Sequence, residues 1–276
     1  MHSPRSCTAC TSLCSKIMKN RDILAIAMQQ SAIDLGCDPG DFLRDKPVIV
    51  PAAAPPAARR YLNLPYPAYF VSYGSNIVAS ATTECISVVR DYLNRFPLAH
   101  SFEPPHLHVL HEALRPLGAG VSMTAEYWLP DVNLLQPLKC DYETRILTQA
   151  DFAPLYQPQW SNALCEKRAE LDVLGVGAFD GDKLVGLAGC SADCEQMWQI
   201  GIDVLPDYRK RGIAAALTSQ LAIEILKHNK IPFYCCAWCN LPSARNAVKA
   251  GFRPAWTEMN AAGLDKIAEM NRGNQT

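Results

Sequence analysis

The chain has 276 residues, of which 49% are hydrophobic and 19% are charged. This composition supplies a packed core and argues against a largely disordered chain. The 26 basic and 27 acidic side chains leave a net charge of −1. The chain therefore lacks the basic excess that is typical of a general nucleic-acid binder. No apolar run reaches the roughly 18 residues of a membrane span, so none is expected.

The N-terminal segment and the number of cysteines indicate in which cellular compartment the protein is expected. Residues 1–17 contain basic side chains but lack the apolar region of a secretory signal. We expect a disordered tail here, and a misplaced start site before Met18 is the alternative. Twelve cysteines in a chain of this length without a signal favour free thiols and a cytoplasmic location. Cys7, Cys10 and Cys14 have a spacing that a zinc or iron–sulfur site could use, but a tail without metal is favoured.

The pattern over residues 18–138 predicts an α+β domain of unknown role. Its proline-rich stretch 47–56 is interpreted as a linker. The predicted helices cover 22–35, 39–44, 84–96 and 107–114, and the predicted strands cover 69–73, 77–81 and 121–129. The first two of these strands are expected to form a hairpin across Gly74. No residue pattern in this part indicates a particular chemistry.

Residues 139–259 have a clearer pattern. The predicted strands cover 143–147, 173–179, 183–190, 197–204, 233–237 and 252–258, and the predicted helices cover 212–228 and 243–250, with further helical stretches between 148 and 171. Asp180, Gly181 and Asp182 predict a tight hairpin between the second and third strands. Residues 260–276 are predicted to be a polar tail, in which a short helix over 264–270 is an alternative.

The informative segment lies where the strand 197–204 leads into the helix 212–228. Arg209, Lys210 and Arg211 precede Gly212, which begins the helix. The first N–H groups of a helix have no internal partner and attract anions, and small residues let a phosphate approach them. The sequence therefore predicts a pyrophosphate site, although the residues alone fit a solvated basic turn equally well. The glycine patterns of dinucleotide-binding folds and of phosphate-loop hydrolases are missing.

The segment Arg209-Lys210-Arg211-Gly212-Ile213-Ala214 resembles the Arg/Gln-x-x-Gly-x-Gly/Ala motif of the GNAT superfamily of acetyl-CoA-dependent N-acetyltransferases. The context is similar as well, because Asn240 to Asn246 and then Gly251-Phe252 follow in the family's order. The resemblance covers roughly residues 142–259. It implies a mixed central sheet with flanking helices, and the N-terminal α+β part is interpreted either as a degenerate copy of the same fold or as an unrelated domain.

The resemblance also implies site residues and a co-substrate. Acetyl-CoA is the implied acyl donor, held where the strand 197–204 splays from the strand 233–237. The residues implied to bind it are Ile202, Val204, Arg209, Lys210, Arg211, Gly212, Ile213, Ala214, Ala215, Asn240 and Asn246. The implied reaction is direct attack of a primary amine, of a small molecule or a peptide, on the thioester. No metal, nucleic acid or membrane is expected as a partner, and assembly as a homodimer is left open.

The catalytic side chains are less clear. The family's usual tyrosine, which protonates the departing thiolate, falls at Ala247. Ser243 and Cys239 are weak substitutes. Glu195, Asp203 and Asp193 are candidates for the base, although each also reads as an ordinary loop or edge carboxylate. The absent tyrosine keeps open an alternative, a non-catalytic acyl-CoA-binding sensor or interaction protein.

Other clusters favour ordinary structural roles. The cysteines Cys190, Cys194, Cys235, Cys236 and Cys239 could form a zinc site, but small strand residues are the favoured interpretation. The run from His106 to Glu112 is interpreted as surface histidines on a helix. The aromatic residues Tyr66, Tyr69, Phe70, Tyr73, Tyr127 and Trp128 are interpreted as core rather than as a substrate groove.

Overall fold

The computed structural model describes residues 18–272, which form one large mixed sheet with helices on both faces. The strands are β1 (Val48–Pro51), β2 (Ala68–Ser72), β3 (Val78–Ala81), β4 (Ala119–Pro130), β5 (Glu143–Thr148), β6 (Asp172–Asp180), β7 (Lys183–Ser191), β8 (Met197–Val204), β9 (Ile231–Cys236) and β10 (Phe252–Gly263). The helices are α1 (Asn20–Leu35), α2 (Ile86–Arg95), α3 (Pro104–Leu114), α4 (Ile213–Lys227), α5 (Leu241–Lys249) and α6 (Leu264–Asn271). Among these residues, every helix is too short or too polar to cross a membrane.

The ten strands lie in the order β1-β3-β2-β10-β4-β9-β8-β7-β6-β5. The pairs β1–β3 and β8–β9 are parallel and the others are antiparallel. Strand β4 lies between β9 and β10, although it precedes the predicted boundary at 138/139. Both parts of the chain therefore contribute to one sheet, and the division into domains 18–138 and 139–259 stays a prediction.

Most predicted elements are present because their local signals are strong. Gly36 ends α1 at φ +74°, a left-handed conformation that suits glycine. The strands β2 and β3 form the expected hairpin, and β6 and β7 form the second one around Gly181. Ile213, Leu217, Leu221 and Ile225, which are spaced by four residues along α4, belong to the core that this helix forms with β6, β7 and β8.

Three expectations differ from the structure. The supposed linker 47–56 contains β1, because the edge of β3 offers unpaired backbone groups to Val48–Pro51. The helical stretches expected between 148 and 171 are short 3₁₀ turns, which the prolines at 154 and 158 interrupt. The supposed tail from 260 instead continues β10 to Gly263, since β4 pairs with it over its whole length, and α6 follows. The predicted tail 1–17 lies outside the described residues.

The apolar cores lie on both faces of the sheet and surround the junction of β8 and β9. One face packs against α4 and α5 over the C-terminal strands and against α2 and α3 over the N-terminal strands. The opposite face packs against α1, the segment around Leu62 and the 3₁₀ turns near Trp160. Core residues therefore pack near the junction of β8 and β9 on both faces of the sheet.

Candidate active site

The strands β8 and β9 separate halfway along their length. They pair at Met197–Ile231, Trp198–Pro232 and Gln199–Phe233, and no further. Beyond this point β8 stays paired with β7, and β9 pairs with β4. The inner edge of β8 from Ile200 onward is therefore open, and its backbone groups are free to pair with an extended ligand.

A cleft of about 530 Å³ fills the opening. Residues of β8 line one wall, and residues of α4, β9 and α5 line the other. Those that the sequence singled out are Ile202, Asp203, Val204, Arg209, Ala214, Asn240, Ser243 and Asn246. Tyr234, Cys235, Gln199 and Asn162 also line the cleft. Most of the predicted binding residues are thus brought to one place.

The loop before α4 is shaped to receive an anion. Gly212 caps the helix at φ +82°, and Lys210 is also left-handed at φ +63°. The first bond within the helix runs from the N–H of Ala216 to the carbonyl of Gly212. The N–H groups of Ile213, Ala214 and Ala215 lie ahead of this bond and carry the positive end of the helix dipole. Since the side chains of Ile213 and Ala215 are buried, these two residues offer only backbone groups.

The basic side chains of this loop have different tasks. Arg209 donates through Nε to the carbonyl of Val204 at 3.0 Å. Arg211 donates to the Tyr142 hydroxyl at 2.7 Å and to the Asp207 carbonyl at 3.0 Å. Both arginines therefore hold the loop in shape while adding positive charge. A further cation is near, since Lys249 Nζ lies 3.7 Å from the point where a Cβ on Gly212 would be.

The start of α5 organises the other wall of the cleft. Asn240 caps this helix by accepting the N–H of Ser243 at 3.2 Å, and Asn246 donates to the Thr218 hydroxyl of α4 at 3.0 Å. The Ser243 hydroxyl lies 2.7 Å from the hydroxyl of Tyr234 on β9. Burial raises the pKa of Tyr234, so its hydroxyl is protonated at neutral pH. Ala247, where the family's tyrosine is expected, is completely buried.

Two of the three carboxylates proposed as bases, Asp203 and Glu195, do not lie free in the cleft. Asp203 accepts the N–H groups of Asn162 and Ala163 at 2.9 and 3.0 Å, and also the amide of Asn162 at 2.7 Å. Its oxygens are occupied by positioning this segment, which disfavours a role as base. Glu195 does not line the cleft; it lines a separate cavity of about 440 Å³ beside Lys230.

Cys235 and Cys236 and the aromatic residues have the structural roles that the sequence favours. Cys235 and Cys236 face opposite sides of β9 and belong to different cores. Burial raises the pKa of Cys235 to about 12, which makes its thiol a poor nucleophile. Cys239 is exposed between β9 and α5. Over residues 18–272, no group of three or more His, Cys, Asp or Glu side chains could hold a metal ion. Of the six aromatic residues predicted as core, Tyr69, Phe70, Tyr127 and Trp128 are buried. Tyr66 and Tyr73 are half-buried and pack against one of the core clusters.

Sequence reasoning missed Tyr234 and Lys249. Tyr234 lies on a strand whose two faces are both apolar, so alternation does not show which face meets the cleft. Lys249 lies at the end of α5, and only the packing of α5 against α4 brings it to Gly212. The one sequence feature that could have pointed to Lys249 is its position directly before Ala250-Gly251-Phe252, in the part of the chain that resembles the GNAT family.

A sheet that opens between two parallel strands, beside a glycine-capped helix, is the arrangement of an acyl-CoA-dependent acyltransferase. Residues 131–256 match the family model described as GNAT acetyltransferase. Residues 131–256 therefore form a GNAT acetyltransferase domain, which makes the chain an acyltransferase. No curated protein matches the chain.

Solved structures with similar folds have low sequence identity. A GCN5-related N-acetyltransferase-like protein from Streptococcus suis is 17% identical over 57% of this chain and 69% of its own, with a TM-score of 0.43. A GCN5-related N-acetyltransferase from Kribbella flavida is 12% identical over 87% and 95%, with a TM-score of 0.45. The yncA protein of Salmonella typhimurium, solved with its cofactor acetyl-CoA, is 16% identical over 46% and 96%, with a TM-score of 0.33. The family match, not these likenesses, carries the assignment.

Proposed function

We propose that this acetyltransferase moves the acetyl group of acetyl-CoA directly to a primary amine of a small molecule or peptide. The observation that carries the proposal is the open edge of β8, which leads from the separation point at Gln199 to the capped start of α4. An extended arm with a pyrophosphate at one end and a thioester at the other fits this path.

Each part of acetyl-CoA has a partner in the cleft. The pantetheine arm pairs with the backbone of β8 at Ile202 and Val204. The pyrophosphate accepts the first N–H groups of α4, with Lys210 and Lys249 as nearby cations. The thioester then lies near the separation point, where backbone N–H groups of β8 stabilise the developing oxyanion.

The transfer forms one bond and breaks another. The lone pair of the neutral amine attacks the thioester carbonyl, and the tetrahedral intermediate collapses with loss of the CoA thiolate. The hydroxyl of Tyr234, paired with Ser243, is the proposed proton donor to this thiolate. Tyr234 would thus take the place of the tyrosine that the family carries at the position of Ala247.

Thermal melting tests the binding step. We expect acetyl-CoA at 100 times its dissociation constant to stabilise the wild type by about 2.7 kcal/mol, a shift of several degrees. Gly212→Glu should abolish the shift, because it puts a negative charge and a strained left-handed residue at the phosphate loop.

The matched control is Gly181→Glu, in the β6–β7 turn. Gly181 also has a positive φ, of +61°, and a Cβ there meets nothing within 4 Å. This variant should keep the full ligand-induced shift. An equal shift in Gly212→Glu and in the wild type would contradict the assignment of the loop.

The proton donor is tested by Tyr234→Phe. We expect kcat to fall by about tenfold to a hundredfold, at the low end of general acid effects because a thiolate is a good leaving group. Thiol release from acetyl-CoA measures the rate. Tyr66→Phe, which removes a half-buried hydroxyl outside the cleft, is the control and should change kcat by less than twofold. A kcat for Tyr234→Phe equal to that of the control would rule out this donor.

A further inference from the structure

A second, smaller cavity adjoins the cleft at the point where β8 leaves β9. Its volume is about 160 Å³, and it shares Asn162, Gln199, Ile200 and Gly201 with the larger cleft. The remaining wall comes from residues 161–168 and from the paired ends of β6 and β7, at Asp172 and Ser191. This small cavity therefore meets the same stretch of β8 as the proposed thioester position.

Asp172 supplies a carboxylate to this small cavity. The residue is only 1% exposed. Its Oδ2 accepts the N–H of Cys165 at 2.8 Å and the hydroxyl of Tyr156 at 3.3 Å. Within the described part of the chain, Oδ1 accepts no hydrogen bond. One oxygen is thus fixed by the protein, while the other is available to a ligand.

The surroundings of Asp172 differ from those of the other candidate carboxylates. Asp203 is occupied by Asn162 and Ala163, and Asp193 is paired with Arg168. Burial raises the pKa of Asp172 to about 6, while the hydrogen bonds from Cys165 and Tyr156 and the charge of Arg168 lower it in part. The charged or titratable groups that face it are Arg168, Asp193, Tyr156, Cys165 and Cys190. A carboxylate of this kind is ionised at neutral pH and is still basic enough to take up a proton.

We propose that Asp172 is the general base of the acetyl transfer and that the acceptor amine enters the small cavity. This inference rests on the proposed function. Oδ1 takes one proton from the substrate ammonium, which leaves a neutral amine to attack the thioester carbon. On collapse the C–N bond remains and the C–S bond breaks. The nitrogen then loses its second proton to water, and the phenolate of Tyr234, which gave its proton to the thiolate, takes one back from water. Asp172 releases its own proton to water, so the net products are the amide, the CoA thiol and one proton. At about 160 Å³ the cavity has room for the amino-methylene end of a primary alkylamine, which is the acceptor class of this proposal.

The test compares two nucleophiles in acetyl-CoA-dependent thiol release at pH 7.5. One is n-butylamine, which is almost wholly an ammonium ion at this pH; the other is hydroxylamine, which is largely neutral. Asp172→Asn keeps the size of the side chain and an oxygen for the N–H of Cys165. We expect this variant to lose between about a hundredfold and ten-thousandfold in kcat/KM with n-butylamine, the usual range for a general base, and less than about tenfold with hydroxylamine.

The control variant is Asp182→Asn, an exposed aspartate in the β6–β7 turn, which should leave both rates unchanged. Equal losses of Asp172→Asn with both nucleophiles would show a structural role, and unchanged rates would show no role; either result overturns the inference. Hydroxylamine also cleaves thioesters without enzyme, so the enzyme-free rate is subtracted; retained enzyme-dependent activity with hydroxylamine then shows that the variant is folded. If the wild type neither binds acetyl-CoA nor releases thiol with either nucleophile, the proposed function itself fails, and the inference fails with it.

Discussion

Replacing Arg59 by methionine is expected to lower the free energy of unfolding by about 3–5 kcal/mol. Arg59 is 2% exposed, and its guanidinium lies 2.5 Å from Asp34 of α1 and 2.5 Å from Glu258 of β10. It also donates to the hydroxyls of Tyr61 and Tyr69 at 2.6 and 3.0 Å. Without the guanidinium, two buried carboxylates would be left without a counter-charge. Urea denaturation monitored by circular dichroism measures the loss.

Two further measurements separate charge from packing. Arg60→Met, at the exposed neighbouring position, should change the free energy of unfolding by less than about 0.5 kcal/mol. Adding Glu258→Gln to Arg59→Met should recover part of the loss, because it removes one uncompensated charge. A loss below 1 kcal/mol would contradict this account.

Gly201→Ala is expected to weaken acetyl-CoA binding by more than tenfold and to cost about 1–3 kcal/mol of stability. A Cβ on Gly201 would lie 1.8 Å from the carbonyl oxygen of Asn162 and 2.7 Å from its carbon. This backbone cannot easily retreat, because Asp203 holds the N–H groups of Asn162 and Ala163. Strand β8 must therefore shift where it borders both cavities. Calorimetric titration with acetyl-CoA measures the affinity.

The matched control is Gly263→Ala at the end of β10. A Cβ there meets nothing within 4 Å, so affinity and stability should both be unchanged. If Gly201→Ala binds acetyl-CoA as tightly as this control, the close approach of the segment around Asn162 to β8 has no bearing on the cleft.

Local signals made much of the C-terminal fold predictable. The hairpin at Gly181, the helix α4 and its start at Gly212 depend on residues that are neighbours in sequence, and all three are confirmed. The position of β4 was not predictable, because it is set by pairing with β9 and β10, which are remote in the chain. β1 was not predictable for the same reason, because its residues form a strand only by pairing with the edge of β3.

The candidate site divides in a similar way. The conformation of the loop before α4 could be predicted, since Arg209 to Ala215 form one short segment with Gly212 at the start of the helix; its binding of an anion stays a prediction. The proposed acid and base could not, because Tyr234 and Asp172 gain their properties from burial and from partners elsewhere in the chain. Asp203 was a candidate base because of its position in the sequence on β8. Its partners are remote in the chain, and the hydrogen bonds from Asn162 and Ala163 favour a positioning role instead.

The position of β4 between β9 and β10 also sets the order in which the protein can be completed during synthesis. Strand β4 leaves the ribosome well before either of its neighbours, so both of its edges must wait for later segments. Contacts between remote residues form slowly because a long loop must close first. The wall of the cleft formed by β9 is therefore completed only after Ile231–Cys236 has emerged and paired with β4, and a nascent chain halted before Ile231 lacks this wall.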